Sequence, residues 1–82
     1  MTELLDVTGV KPLPDYILEL EFENGVRRYF DMKPYLSRKP FNRLIALPVF
    51  MKATVDYGTV VWPGNIDIDP EILWEKSKDA IL

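Results

Sequence analysis

The segment Tyr16–Phe30 constrains this chain more than any other, because it reads as a β-hairpin with a definable register. Tyr16, Leu18, Leu20 and Phe22 alternate with Ile17, Glu19 and Glu21, the period-2 pattern of a strand with one buried and one wet face. Asn24-Gly25 follows, supplying the left-handed backbone that a tight hairpin needs, and Val26-Arg27-Arg28-Tyr29-Phe30 returns. A two-residue loop would set Phe22 opposite Arg27 and Glu19 opposite Phe30. A three-residue loop, Glu23-Asn24-Gly25 with Gly25 as a left-handed bulge, pairs Phe22 with Val26, Glu21 with Arg27 and Leu18 with Phe30. The second keeps apolar and charged residues on their own faces and is the register expected. Arg28 falls on the inner face, where its guanidinium is expected to snorkel towards water.

The remaining elements hang on this hairpin. Val7–Lys11 reads as a preceding strand, closed by Pro12 and Pro14, which cannot donate to a ladder, with a turn starting at Asp15. Pro34 and Pro40 break the stretch after Phe30. Phe41–Leu47 can make about two helical turns, with Phe41, Leu44 and Ile45 at i, i+3 and i+4. Pro48 opens a further short helix. Both pieces are expected to act as lids over a sheet. Thr54–Asp56, Tyr57-Gly58 and Thr59–Trp62 form a second hairpin, with glycine again in the turn. From Pro70 to near Ile81 a helix is expected, with Leu73, Trp74, Ser77, Ala80 and Ile81 on one stripe. The sum is a single α+β domain over 1–82: an antiparallel, meander-like sheet of about five strands, short helices after the third, and one amphipathic C-terminal helix packed on it.

An 82-residue chain builds one modest core, and chains of this size often add a disulfide, a metal or a partner subunit. With no cysteine and no histidine, a disulfide and a Cys/His metal site are excluded. Support must come from association or from an efficient core, and the 48% apolar content suits the latter. The N-terminus lacks the basic and apolar regions of a signal peptide, and no run approaches a membrane span, so the cytoplasm is the expected location. The net charge of −3 hides a segregation: Arg27, Arg28, Lys33, Arg38, Lys39, Arg43 and Lys52 face Asp31 alone within 27–52, while both flanking stretches are acidic. Either these charges interleave across neighbouring strands, or the segment forms a basic patch for an acidic partner or a phosphate backbone. The acidic total speaks against general nucleic-acid binding.

Without His or Cys, the commonest general base and the best neutral-pH nucleophile are missing, and the scattered glycines form no phosphate-cradling loop. The strongest chemical candidate is the pair Asp67 and Asp69, two apart, which in an extended segment share a face and can approach one Mg²⁺ or act as acid and base. The competing reading makes Asp69 the N-cap of a helix starting at Pro70, with Glu71 complementing its dipole, Ile66 and Ile68 facing the core and Asp67 facing water. It accounts for more residues and is preferred. Trp62-Pro63-Gly64-Asn65 is a strand exit followed by a tight turn. Trp62 is read first as core and second as a binding hot spot. The candidate partner-binding residues are therefore Trp62, Gly64 and Asn65 together with Arg27, Arg38 and Lys39.

Laid out this way, the chain resembles the bacterial domain of unknown function 2442 family over nearly its whole length. The likeness rests on Pro14-Asp15-Tyr16, Phe22 with Asn24-Gly25, Phe30-Asp31 before Pro34-Tyr35-Leu36, and Pro40-Phe41 with Leu44 and Phe50. Its most specific part is Thr59-Val60-Val61-Trp62-Pro63 with Ile66-Asp67-Ile68-Asp69-Pro70-Glu71 and Leu73; Trp74 stands where the family often has Tyr. The resemblance brings no catalytic residues and no cofactor. It implies a protein partner encoded by an adjacent gene, in an arrangement like a toxin–antitoxin pair. Some members continue into a helix-turn-helix domain, which this sequence, ending at Leu82, is not expected to carry. The expectation is a non-enzymatic protein-interaction module, antitoxin-like or regulatory, with a homodimer through a sheet edge as a close variant. The alternatives are a nucleic-acid accessory domain using 27–52, and a carboxylate or metal-dependent enzyme at Asp67 and Asp69.

Overall fold

In the computed structural model, which describes residues 5–79, the central hairpin has the expected three-residue loop. Strand β1 is Val7–Leu13, β2 is Ile17–Phe22 and β3 is Arg27–Asp31, joined in the order β1-β2-β3. Glu21 lies opposite Arg27 and Leu18 opposite Phe30, while Gly25 takes φ 83°. Leu18, Leu20, Phe22 and Phe30 are buried as the alternation requires, whereas Val26, expected on the same face, precedes β3 and is 36% exposed. β1 runs further than expected, through Pro12 to Leu13. As an outer strand of its sheet it turns half its backbone groups away from the ladder, which tolerates proline. The link to β2 is a tight turn in which Asp15 and Tyr16 both have left-handed φ, 67° and 60°.

The second half departs from a single meander. Strands β4 (Thr54–Asp56), β5 (Thr59–Trp62) and β6 (Ile66–Asp67) form a second antiparallel sheet in the order β4-β5-β6. This hairpin docks on the far side of β1 and not on β3. The junction is one backbone bond, Val7 N–H to Gly58 C=O at 2.8 Å, instead of a ladder. Gly58 has φ 73°, a left-handed conformation that favours glycine, and a Cβ there would sit 2.6 Å from the Asp6 carboxylate and displace that side chain. The edge of β3 is taken by the C-terminal segment: Tyr29 and Lys78 exchange backbone bonds of 2.7 and 2.8 Å.

Between the sheets, residues 33–50 cross over the core. Lys33–Tyr35 and Phe41–Ile45 are 3-10 turns, the Lys39–Pro40 peptide is cis, and helix α1 is the single turn Leu47–Phe50, with Pro48 its second residue. The sequence predicts about two helical turns over Phe41–Leu47 with Ile45 on the buried face. In a 3-10 turn residues three apart align, so Leu44 stays buried beneath Phe41 while Ile45 rotates outward to 56% exposure. One cluster of buried side chains joins both sheets, including Leu20, Phe30, Phe50, Val60, Trp62 and Leu73.

Helix α2 is Pro70–Lys76, shorter than the span to Ile81 that the helical wheel suggested. Leu73 is buried and Trp74 half-buried as expected; Ala80 and Ile81 lie outside the described residues. The helix stops because Ser77 turns extended and donates its hydroxyl to the Trp74 carbonyl at 3.0 Å. Arg28 completes the stop and does not snorkel into water. Its Nε donates to Ser77 Oγ and its Nη2 to the Ser77 carbonyl, both at 2.6 Å. Its Nη1 pairs with Asp79 at 2.9 Å, and its guanidinium carbon lies 4.9 Å from the Trp74 ring centroid. Among the described residues no helix is long and apolar enough to cross a membrane.

Candidate interaction surface

The Trp62–Pro70 stretch is a strand exit, a turn and a helix start. Trp62 lies in the core at 3% exposure, donates its indole N–H to the Phe50 carbonyl at 3.0 Å and stacks on the Phe50 ring. Its side chain therefore presents no hot spot to a partner. Pro63 and the left-handed pair Gly64 (φ 90°) and Asn65 (φ 62°) are exposed and turn the chain into β6. Ile66 and Ile68 are buried, Asp67 is exposed opposite Val61, and the Thr59 hydroxyl donates to the Ile68 carbonyl. Asp69 is the N-cap: its Oδ1 accepts from Glu71 N–H at 2.9 Å, with Pro70 as the first helical residue. The candidate acid–base residue is thus committed to the helix. Among the described residues no group of three or more carboxylates gathers around it. The outer side of the turn borders an open groove of about 440 Å³ that includes Asp56, Tyr57, Val61 and Asp67, with Tyr57 92% exposed.

The cations of 27–52 divide into two sets. Arg27 is in register with Glu21 and borders a shallow depression on the outer face of the first sheet with Lys11 and Glu19. Arg28 is committed to Ser77 and Asp79. Lys33 bridges Asp15 and Asp31, each at 3.0 Å, and the Asp15 hydrogen bond is the main cause that holds its ammonium above the ordinary lysine pKa. Here the acidic and basic stretches interleave. Arg38, Lys39, Arg43 and Lys52 behave otherwise: among the described residues the ion pairs involve Arg28 and Lys33, and none involves these four. Arg38 lies over the Tyr35 ring at 6.0 Å, and Arg43 reaches the Gly64 carbonyl at 3.3 Å. The fold therefore brings the 38–52 segment to the Gly64–Asn65 turn, whereas Arg27 stands on a different element and joins neither.

The family described as Protein of unknown function (DUF2442) has a model that matches residues 7–79. The chain belongs to this family. No curated protein and no solved structure matches it. The DUF2442 match starts with β1 and reaches Asp79, so it spans both sheets, the 38–52 segment and the Arg28 contacts with Ser77 and Asp79.

The DUF2442 chain also exposes aliphatic residues that its sequence pattern does not mark for the surface. Ile45, Leu47 and Met51 are 56%, 48% and 49% exposed on the segment that carries Arg43 and Lys52. Helical periodicity assigned Ile45 to the core. The signal that favours exposure is the closeness of Pro40 and Pro48, which leaves room for a tight 3-10 turn and little α-helix. The segment is anchored from below at two points, by the Tyr16 hydroxyl on the Ile45 carbonyl and the Trp62 indole on the Phe50 carbonyl.

Proposed function

We propose that this DUF2442 chain is a non-enzymatic, cytoplasmic protein-interaction module, the regulatory or antitoxin-like half of a two-gene pair, and that 38–52 is its docking segment. The observation that carries the proposal is the exposure of Ile45, Leu47 and Met51 on a segment whose four cations are engaged in no ion pair among the described residues. A contiguous exposed aliphatic patch marks a binding surface, and these three residues fall within seven positions of one another. Completing the burial of a half-exposed aliphatic side chain stabilises a complex by roughly 1 kcal/mol. The commitment of Asp69 to the helix cap supports binding over acid–base chemistry.

Co-purification of the tagged full chain from its native host tests this. A stoichiometric protein partner is expected, with capture lost in the Ile45→Ser/Met51→Ser double variant and kept in Tyr57→Ser, a residue of the β4–β5 turn outside 38–52. Recovery of both variants with the same partner would remove the docking segment from the proposal. Recovery of an unaccompanied monomer counts against the module itself.

A further inference from the structure

We propose that the partner segment seated on 38–52 is acidic and aliphatic, with carboxylates spaced to meet Arg43 and Lys52 on either side of Ile45, Leu47 and Met51. The inference rests on the interaction-module reading and adds the chemistry of what is bound. Its ground is charge. Among the described residues the ion pairs join Arg28 to Asp79 and Lys33 to Asp15 and Asp31, and cations on other elements, such as Lys11 and Arg27, are also outside them. What sets 38–52 apart is its sign: Arg38, Lys39, Arg43 and Lys52 stand in a segment without Asp or Glu, and among the described residues none of the four takes part in an ion pair.

Two other occupants fit less well. A second copy related by a two-fold axis would bring Arg43 and Lys52 towards their own counterparts, and like charges at a closing interface oppose it. A nucleic-acid strand would satisfy the cations but leave Ile45, Leu47 and Met51 against phosphate and sugar. The rings of Tyr35 and Phe41 are also engaged inside the protein. Tyr35 stacks on Phe30 at 5.4 Å and packs edge-on with Phe41 at 6.3 Å, so both rings spend contact area inside the protein. An acidic segment with aliphatic side chains uses both halves of the surface. The two anchoring hydrogen bonds fix the backbone at Ile45 and Phe50, so little ordering is needed on binding.

The test uses isotope-labelled full chain and three probes: a synthetic amphipathic peptide of Glu, Leu and Ala, its counterpart with Lys at every Glu, and a single-stranded oligonucleotide. The Glu peptide is expected to give saturable amide shifts confined to 38–52 and the adjoining Gly64–Asn65 turn. Affinity should fall about tenfold in Arg43→Glu/Lys52→Glu and about tenfold in Ile45→Ser/Met51→Ser, with spectra otherwise intact. No saturable shift, equal binding of the Lys peptide, or tighter binding of the oligonucleotide overturns the inference. So does sedimentation as a dimer that Ile45→Ser/Met51→Ser converts to monomer. The two readings separate cleanly. A host partner lost in Ile45→Ser/Met51→Ser but indifferent to Arg43→Glu/Lys52→Glu leaves the module standing and removes only its acidic partner.

Discussion

Asp69 carries one hydrogen bond whose loss can be measured directly. Asp69→Ala leaves the Glu71 N–H without its acceptor and should lower stability by about 1 kcal/mol, whereas Asp69→Ser should retain most of it. Urea denaturation of the two variants checks this; equal midpoints for Ala and wild type would mean that the cap contributes nothing. Lys33 makes a prediction in pH. Its ammonium is favoured in the folded state by Asp15 first and then Asp31, with partial desolvation opposing them. Since its folded pKa is raised, its contribution is fully present below the ordinary value of 10.5 and is lost as pH rises through the folded value. The pair is well exposed, so the effect is small, roughly 0.2–1 kcal/mol. The gap in urea midpoint between wild type and Lys33→Met should stay constant from neutrality towards pH 10 and close above it. Asp69 was legible in the sequence because its partner is two residues away. The role of Arg28 was not, since Ser77 and Asp79 lie 49 and 51 residues further on.

Elements show the same division. The β2–β3 register followed from alternation and turn chemistry alone, and so did the β4–β5 hairpin, whose turn has Tyr57 and Gly58 at left-handed φ. Where a tertiary contact sets the end of an element, periodicity misled. Helix α2 ends at Lys76 because Arg28, Ser77 and β3 capture the chain, although the wheel continues to Ile81. The stretch Phe41–Ile45 winds as 3-10, and that difference in pitch sends Ile45 to the surface and creates the candidate site. Arg28→Met should therefore loosen the join between α2 and β3. It removes charge-assisted bonds to a buried serine, a loss of about 1–3 kcal/mol. Hydrogen exchange at the Tyr29 and Lys78 amides should accelerate more than at Leu18 or Leu20; uniform acceleration would show the clamp to be global.

At the scale of the whole molecule, a cluster of buried side chains spans two sheets that share a single backbone bond along β1. Which flank the second hairpin takes is decided by contacts distant in sequence, such as Gly58 against Asp6 and Trp62 against Phe50, and so could not be read locally. With the core common to both, the sheets should unfold together. Trp62 reports the second sheet and Trp74 the helix against Phe22, so Trp74→Phe and Trp62→Phe variants each retain a probe in a different place. Coincident fluorescence and circular-dichroism transitions are expected within each variant, and Phe50→Ala should lower the unfolding free energy read by both probes by about 3–5 kcal/mol. Separate transitions would divide the chain into two folding units. The exchange of bonds between Tyr29 and Lys78 has a bearing on solubility. An uncovered strand offers its amides and carbonyls to any other chain, and here the last described residues occupy those groups on β3. Ending the chain after Lys76 would unmask that strand, and the protein would be expected to meet its first new partner in another copy of itself, visible as light scattering that grows with concentration.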